Sequence, residues 1–123
     1  RMSAYDMALY GQLYENFGVW NGQRILSREW IAQSTTSYSV TNRYMDFGYG
    51  MLWNVINAND KRPSQAFYHT GVGIHMLGVY PDSDLVFVHR VNTETEYQFD
   101  QQNLYQIIGR VFDALETAKA PQP

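Results

Sequence analysis

The run from Phe67 to Val91, F-Y-H-T-G-V-G-I-H-M-L-G-V-Y-P-D-S-D-L-V-F-V-H-R-V, gathers the residues whose types and spacing could do chemistry. His69-Thr70-Gly71 ends an extended stretch with two polar side chains. Gly71 and Gly73, lacking a Cβ, leave backbone N–H groups open to close approach by a ligand. His69, His75 and His89 are of the right type to hold zinc. Their spacing lacks the close i, i+2 or i+4 pairs of common histidine sites, and no acidic residue pairs with them by pattern. Single structural histidines explain them better, and no metal or cofactor is expected. Asp82 and Asp84 flank a turn, where carboxylates accept local backbone hydrogen bonds, and turn formation accounts for them.

These residues need strands to hold them. Alternating β-formers and turn residues predict three strands across the run, with a glycine-rich turn between the first two and Pro81-Asp82-Ser83-Asp84 between the second and third. Upstream, Ser3 and Asp6 make a capping pair for a helix whose apolar face is Tyr10, Leu13, Tyr14 and Phe17, ended by Gly18. Asn21-Gly22 sits between two short extended pieces, as a tight hairpin turn requires. Ser27 caps a short helix running to about Ser34, with Trp30 and Ile31 buried. Residues 34–46 read as a polar surface loop, whose Tyr38, Arg43 and Tyr44 could line a substrate entrance, although an ordinary surface loop is the better-favoured reading. Phe47 to Val55 reads as one strand, with Gly48 and Gly50 implying a bulge or close packing. Residues 57–64 form a solvated loop, and 92–99 a polar connection. From an N-cap at Asp100, Leu104, Ile107, Ile108, Val111, Phe112, Leu115 and Ala118 keep helical spacing, so the last helix should bury a continuous stripe over one sheet face. Residues 120–123, Ala-Pro-Gln-Pro, cannot continue it. The expected fold class is α+β, with an antiparallel sheet of about four strands packed against N- and C-terminal helices in two layers.

Composition narrows the function classes. At 123 residues and 45% apolar content, the chain suits a single domain, 1–123, with a core. A net charge of −3 without basic runs gives no electrostatic footprint for nucleic acid. Zero cysteines exclude disulfides and thiolate metal sites, and leave the compartment undecided. No signal peptide and no apolar run near eighteen residues is read, so no membrane span is expected. Ten tyrosines and 15% aromatic content suggest either the rim of a substrate cleft or, the favoured reading, surfaces that pack on further sequence, and hence self-association when they are exposed.

The 67–91 run resembles the third motif region of the serine hydrolases related to class C β-lactamases, DD-peptidases and family VIII esterases. In these a Lys-Thr-Gly strand, or its His-x-Gly variant, forms one active-site wall, and His69-Thr70-Gly71 occupies that place. V-Y-P-D-S-D-L-V-F-V-H-R-V-N resembles the hydrophobic strand, Pro-Asp turn and second strand that follow. S-A-Y-D-M-A-L-Y-G-Q-L at 3–13, W-N-G-Q-R-I-L-S-R-E-W-I at 20–31 and F-G-Y-G-M-L-W at 47–53 match in order. The resemblance covers nearly the whole chain and only the carboxy-terminal part of the family's fold, a partial β-lactamase/transpeptidase-like fold.

The resemblance implies a parent that hydrolyses a small-molecule ester, amide or β-lactam through an acyl-enzyme. Val72 would give the oxyanion-stabilising N–H, His69 and Thr70 the polar substrate contacts, and Gly71 the close strand approach. No Ser-x-x-Lys occurs in the chain and no Tyr-x-Asn stands in the place of the second motif, so the chain alone is expected to be inactive. Histidine in place of lysine gives no permanent charge near pH 7, which tilts the parent toward an esterase or small-amide hydrolase. The competing reading is a non-catalytic ligand-binding or interaction module with a hydrolase-like shell. Family members are often periplasmic or secreted.

Overall fold

A computed structural model describes residues 2–119. The reading of residues 120–123 as a helix stop lies outside the described residues.

Ser3 and Asp6 act as their spacing predicts. The Ser3 hydroxyl accepts from the Asp6 N–H at 3.0 Å and the Asp6 carboxylate accepts from the Ser3 N–H at 2.9 Å, a capping box that starts α1 (Ala4–Glu15). At its other end the Gly18 N–H reaches the Leu13 carbonyl at 2.7 Å and the Phe17 N–H reaches the Tyr14 carbonyl at 3.0 Å. Gly18 thus belongs to the stop, yet Phe17, at φ 51°, takes the left-handed position usually given to glycine. That placement turns Phe17 out to solvent at 51% exposure, and Tyr10 is 38% exposed. The buried line of α1 is instead Met7, Gly11 and Tyr14. Gly11 is the reason: a Cβ there would lie 2.6 Å from Val86 Cγ1 and 2.9 Å from Leu77 Cδ1. The helix rests on the sheet through the one position that looked like a break in its apolar face.

Asn21 and Gly22, both at positive φ, close the hairpin of β1 (Val19–Trp20) and β2 (Gln23–Arg24). Ser27 accepts from the Trp30 N–H at 3.0 Å and caps α2 (Arg28–Ser34). Ile31 is buried as expected, whereas Trp30 is 44% exposed.

The main sheet is antiparallel with six strands, not about four. Two come from the stretch read as a loop and a single strand. Ser39–Asn42 is β3, an exposed edge strand whose register with β4 (Phe47–Tyr49) shifts between Val40 and Asn42. Phe47 to Val55 breaks at residues 50–53, so β4 turns back into β5 (Asn54–Ile56). Leu52 at φ 66° makes the break, and Gly50 packs so closely that a Cβ would lie 2.6 Å from the Ser34 carbonyl oxygen and 2.7 Å from that of Thr36. The predicted three-strand unit follows as β6 (Ala66–Gly71), β7 (His75–Tyr80) and β8 (Leu85–His89), with a 3-10 turn at Pro81–Ser83 and Asp84 at φ 51°. The six strands lie in chain order, each hydrogen-bonded to the next.

Register sorts the side chains. Phe67 faces Val79, His69 faces Leu77, and Val79 faces Val86, so these share the side on which α1 packs. There Tyr14, Ile31, Trp53, Val55, Phe67, Leu77 and Val79 form the core. The opposite side carries Tyr68, Thr70, Met76, Gly78, Tyr80, Phe87 and His89. Phe112 of α3 (Gln101–Lys119) meets Tyr80 edge-on at 5.0 Å, and Phe99 stacks on His89 at 4.6 Å. The N-cap expected at Asp100 is present: its carboxylate accepts from the Asn103 N–H at 2.9 Å. The continuous stripe is not. Leu104 alone is closed off in this helix; Ile108, Val111, Phe112 and Leu115 are half-buried, and Ile107 and Ala118 are exposed. The architecture is α+β, and among the described residues no helix is long and apolar enough to cross a membrane.

Candidate functional site

The end of β6 projects beyond its neighbour. Asn54, the first residue of β5, lies opposite Tyr68 and donates its side-chain amide to the Tyr68 carbonyl at 3.3 Å. The preceding Trp53 carbonyl is taken by the Gly50 N–H at 2.8 Å in the β4–β5 turn. His69, Thr70 and Gly71 therefore pair only with β7, on their other side. Backbone groups alternate in direction along a strand, so if the Tyr68 carbonyl points toward β5, the Thr70 N–H and C=O point the same way, past the end of β5. Val72 follows directly on this open end, in the turn to β7.

The turn after β6 keeps this edge accessible. Val72 is 94% exposed. Gly73 and Ile74 take φ 84° and 63°, and a side chain on Gly73 would run into Thr93. Glycine is required there both by its dihedral and by its surroundings.

A shallow cavity of about 240 Å³ lies at this end, lined by Met7, His69, Thr70, Gly71, His75, Met76, Leu77 and Arg90. It joins the predicted His69, Thr70 and Gly71 to His75, which the sequence offered only as a zinc candidate, and to Arg90, which it did not single out. The signal for His75 is its register, directly opposite Gly71. Arg90 stands just beyond β8, and its guanidinium donates to the Met2 carbonyl at 3.1 Å and contacts the Met7 sulfur at 3.3 Å.

The three histidines do different work. His75 Nδ1 accepts from the Val91 N–H at 3.2 Å, and His89 Nδ1 donates to the Ile74 carbonyl at 2.9 Å. Both brace the turn that ends the site. Among the described residues His69 has no such bond; its ring packs against the Trp53 indole with centroids 3.8 Å apart. His69 and His75 share the α1 side of the sheet and His89 faces the other. Among the described residues no group of three His, Asp or Glu side chains is arranged to hold a metal ion.

Burial pushes the His69 imidazole below its ordinary 6.5, because the half-enclosed ring loses solvation in its charged form. The native state therefore resists protonation that the unfolded chain accepts. This contribution to stability is whole above about pH 6.5 and is lost as pH falls through the lower native value. Denaturation midpoints taken from pH 8 to pH 5 should show a decline that His69→Gln reduces. An identical profile in the variant would remove His69 from this account.

One literal Tyr-x-Asn does occur, at Tyr14-Glu15-Asn16 at the end of α1. Tyr14 is only 4% exposed, with its ring 4.9 Å from Trp53 and 6.0 Å from Phe67. It is a core residue and cannot reach a ligand in the cavity.

No family model matches the chain, and no curated protein matches it.

Proposed function

We propose that the chain is the carboxy-terminal portion of a serine hydrolase of the kind that includes class C β-lactamases, DD-peptidases and family VIII esterases. In this reading the β-lactamase/transpeptidase-like sheet supplies one wall of the active site. The observation that carries it is the open end of β6, where His69-Thr70-Gly71 runs past the last β5 partner beside an exposed Val72. A strand edge of this form can lie alongside an acyl group and offer it backbone donors.

The chemistry divides between this wall and a nucleophile outside residues 1–123. A serine Oγ attacks the substrate carbonyl, giving up its proton to a base, and the carbonyl oxygen becomes negative. The Val72 N–H supports that oxygen. Collapse expels the alcohol or amine, which takes a proton, and water then frees the acid from the acyl-enzyme. Thr70 and His69 contact the substrate, and Gly71 lets it approach. With its pKa lowered by burial, His69 is a neutral hydrogen-bonding group near pH 7. That supports an ester or small-amide substrate over one held by a fixed cation at this position.

Sequencing the source DNA upstream of Arg1 tests the reading. A continuous frame containing Ser-x-x-Lys and then Tyr-x-Asn is expected. Degraded motifs in that frame would leave a ligand-binding module with the same wall and no acyl-enzyme.

A further inference from the structure

We propose that Trp53 is a positioning residue for the site, its indole holding the His69 imidazole against the end of β6 so that the ring nitrogens face the cavity. The proposal rests on the reading of His69 as a substrate contact, and adds the residue that makes that contact definite.

Three observations carry it. Trp53 is 1% exposed and sits one residue before β5, where that strand stops short of His69. Its ring fills the space under the overhang, at 3.8 Å from the imidazole centroid and tilted by 35°. The indole is itself fixed, by Tyr14 at 4.9 Å, Phe67 at 4.9 Å in an edge contact, and Tyr10 parallel to it at 6.2 Å. A ring braced by three others cannot follow the imidazole, so the imidazole must conform to it.

The same packing sets the charge of the imidazole. No hydrogen bond to a described residue fixes the His69 ring nitrogens, whereas the Nδ1 atoms of His75 and His89 are both engaged by backbone groups. The His69 orientation thus depends on packing alone, and the same packing removes the water that would stabilise an imidazolium. The charged and titratable groups around it are Arg90 and His75 across the cavity and the Tyr10 and Tyr14 phenols beside the indole. Burial is the cause of the bias against protonation, and among the described residues no carboxylate lines the cavity.

The test is the titration of the three histidines by NMR in this chain, with His69 assigned by loss of its signal in His69→Gln. In the native protein His69 should titrate below 6.5. Trp53→Leu, which keeps an apolar side chain without the ring, should raise that midpoint. Trp53→Phe should restore most of the difference. An unchanged His69 midpoint in a folded Trp53→Leu protein would overturn the proposal. If that variant does not fold, indole fluorescence of the native protein against His69→Gln decides. A pH-dependent quench that disappears in His69→Gln supports the contact, and a quench retained in full overturns it. Neither readout needs hydrolysis, so an inactive parent would defeat the hydrolase reading while leaving this one standing.

Discussion

Trp53→Ala is expected to destabilise the fold by about 3–5 kcal/mol, as measured by urea denaturation at pH 7.5. The indole is 1% exposed and touches Tyr14, Phe67, Tyr10 and His69. Its removal takes away apolar burial and four ring contacts at once. Relaxation cannot recover the loss, because the partners come from α1 and β6, Trp53 itself stands in the β4–β5 turn, and each of these elements is held elsewhere. Gly11 pins α1 against Val86 and Leu77, and Gly50 pins the turn against the carbonyls of residues 34 and 36. For a domain of this size, total stability is about 5–15 kcal/mol, so the variant should lie near or beyond its limit. A loss below about 1 kcal/mol would show that the cluster is not the centre of the core.

Leu104→Ala should have the second largest effect, about 2–5 kcal/mol, and should act locally. Leu104 is 2% exposed, and it is the one residue of α3 that is closed off from solvent. The rest of the helix leans on the sheet with half-buried side chains and on the Phe112–Tyr80 edge contact. Tyr80 is mostly enclosed there, and burial with the neighbouring Tyr68 pushes its phenol up to about 12. Losing Leu104 should loosen α3 before the sheet opens. Hydrogen exchange should show faster exchange along residues 104–115 with β6 and β7 protected. Uniform acceleration across the sheet would mean that α3 and the sheet unfold as one unit.

Elements governed by adjacent residues were legible in the sequence. Ser3 with Asp6, Ser27, Asp100, Asn21-Gly22 and Pro81 to Asp84 all do locally what their chemistry suggests. What escaped was set by contacts between distant segments. The β4–β5 turn depends on Leu52 at positive φ and on Gly50 lying against α2's last residue and the chain after it, and no local composition announces either. The edge strand β3 is exposed at every residue, so it carries no alternation to read. Gly11 concealed the true contact face of α1, and the last helix had an apolar stripe wider than the surface available to cover it. At the site, His69, Thr70, Gly71 and Val72 stood out as a short motif. Their relation to Trp53, His75 and Arg90 required the register of three strands.

The most direct test of the hydrolase reading is acylation of the complete protein by a chromogenic ester, followed by mass spectrometry to locate the adduct, in the native sequence and in Val72→Pro. Proline removes the one N–H assigned to the oxyanion, at a position whose side chain is 94% exposed. Val72→Ala, which keeps the N–H, serves as the control. The expected result is an adduct on a serine outside residues 1–123, formed about 10²–10³-fold more slowly in Val72→Pro and at nearly the native rate in Val72→Ala. Equal acylation rates in all three proteins, or no serine adduct in any of them, would contradict the assignment of β6 as the oxyanion wall.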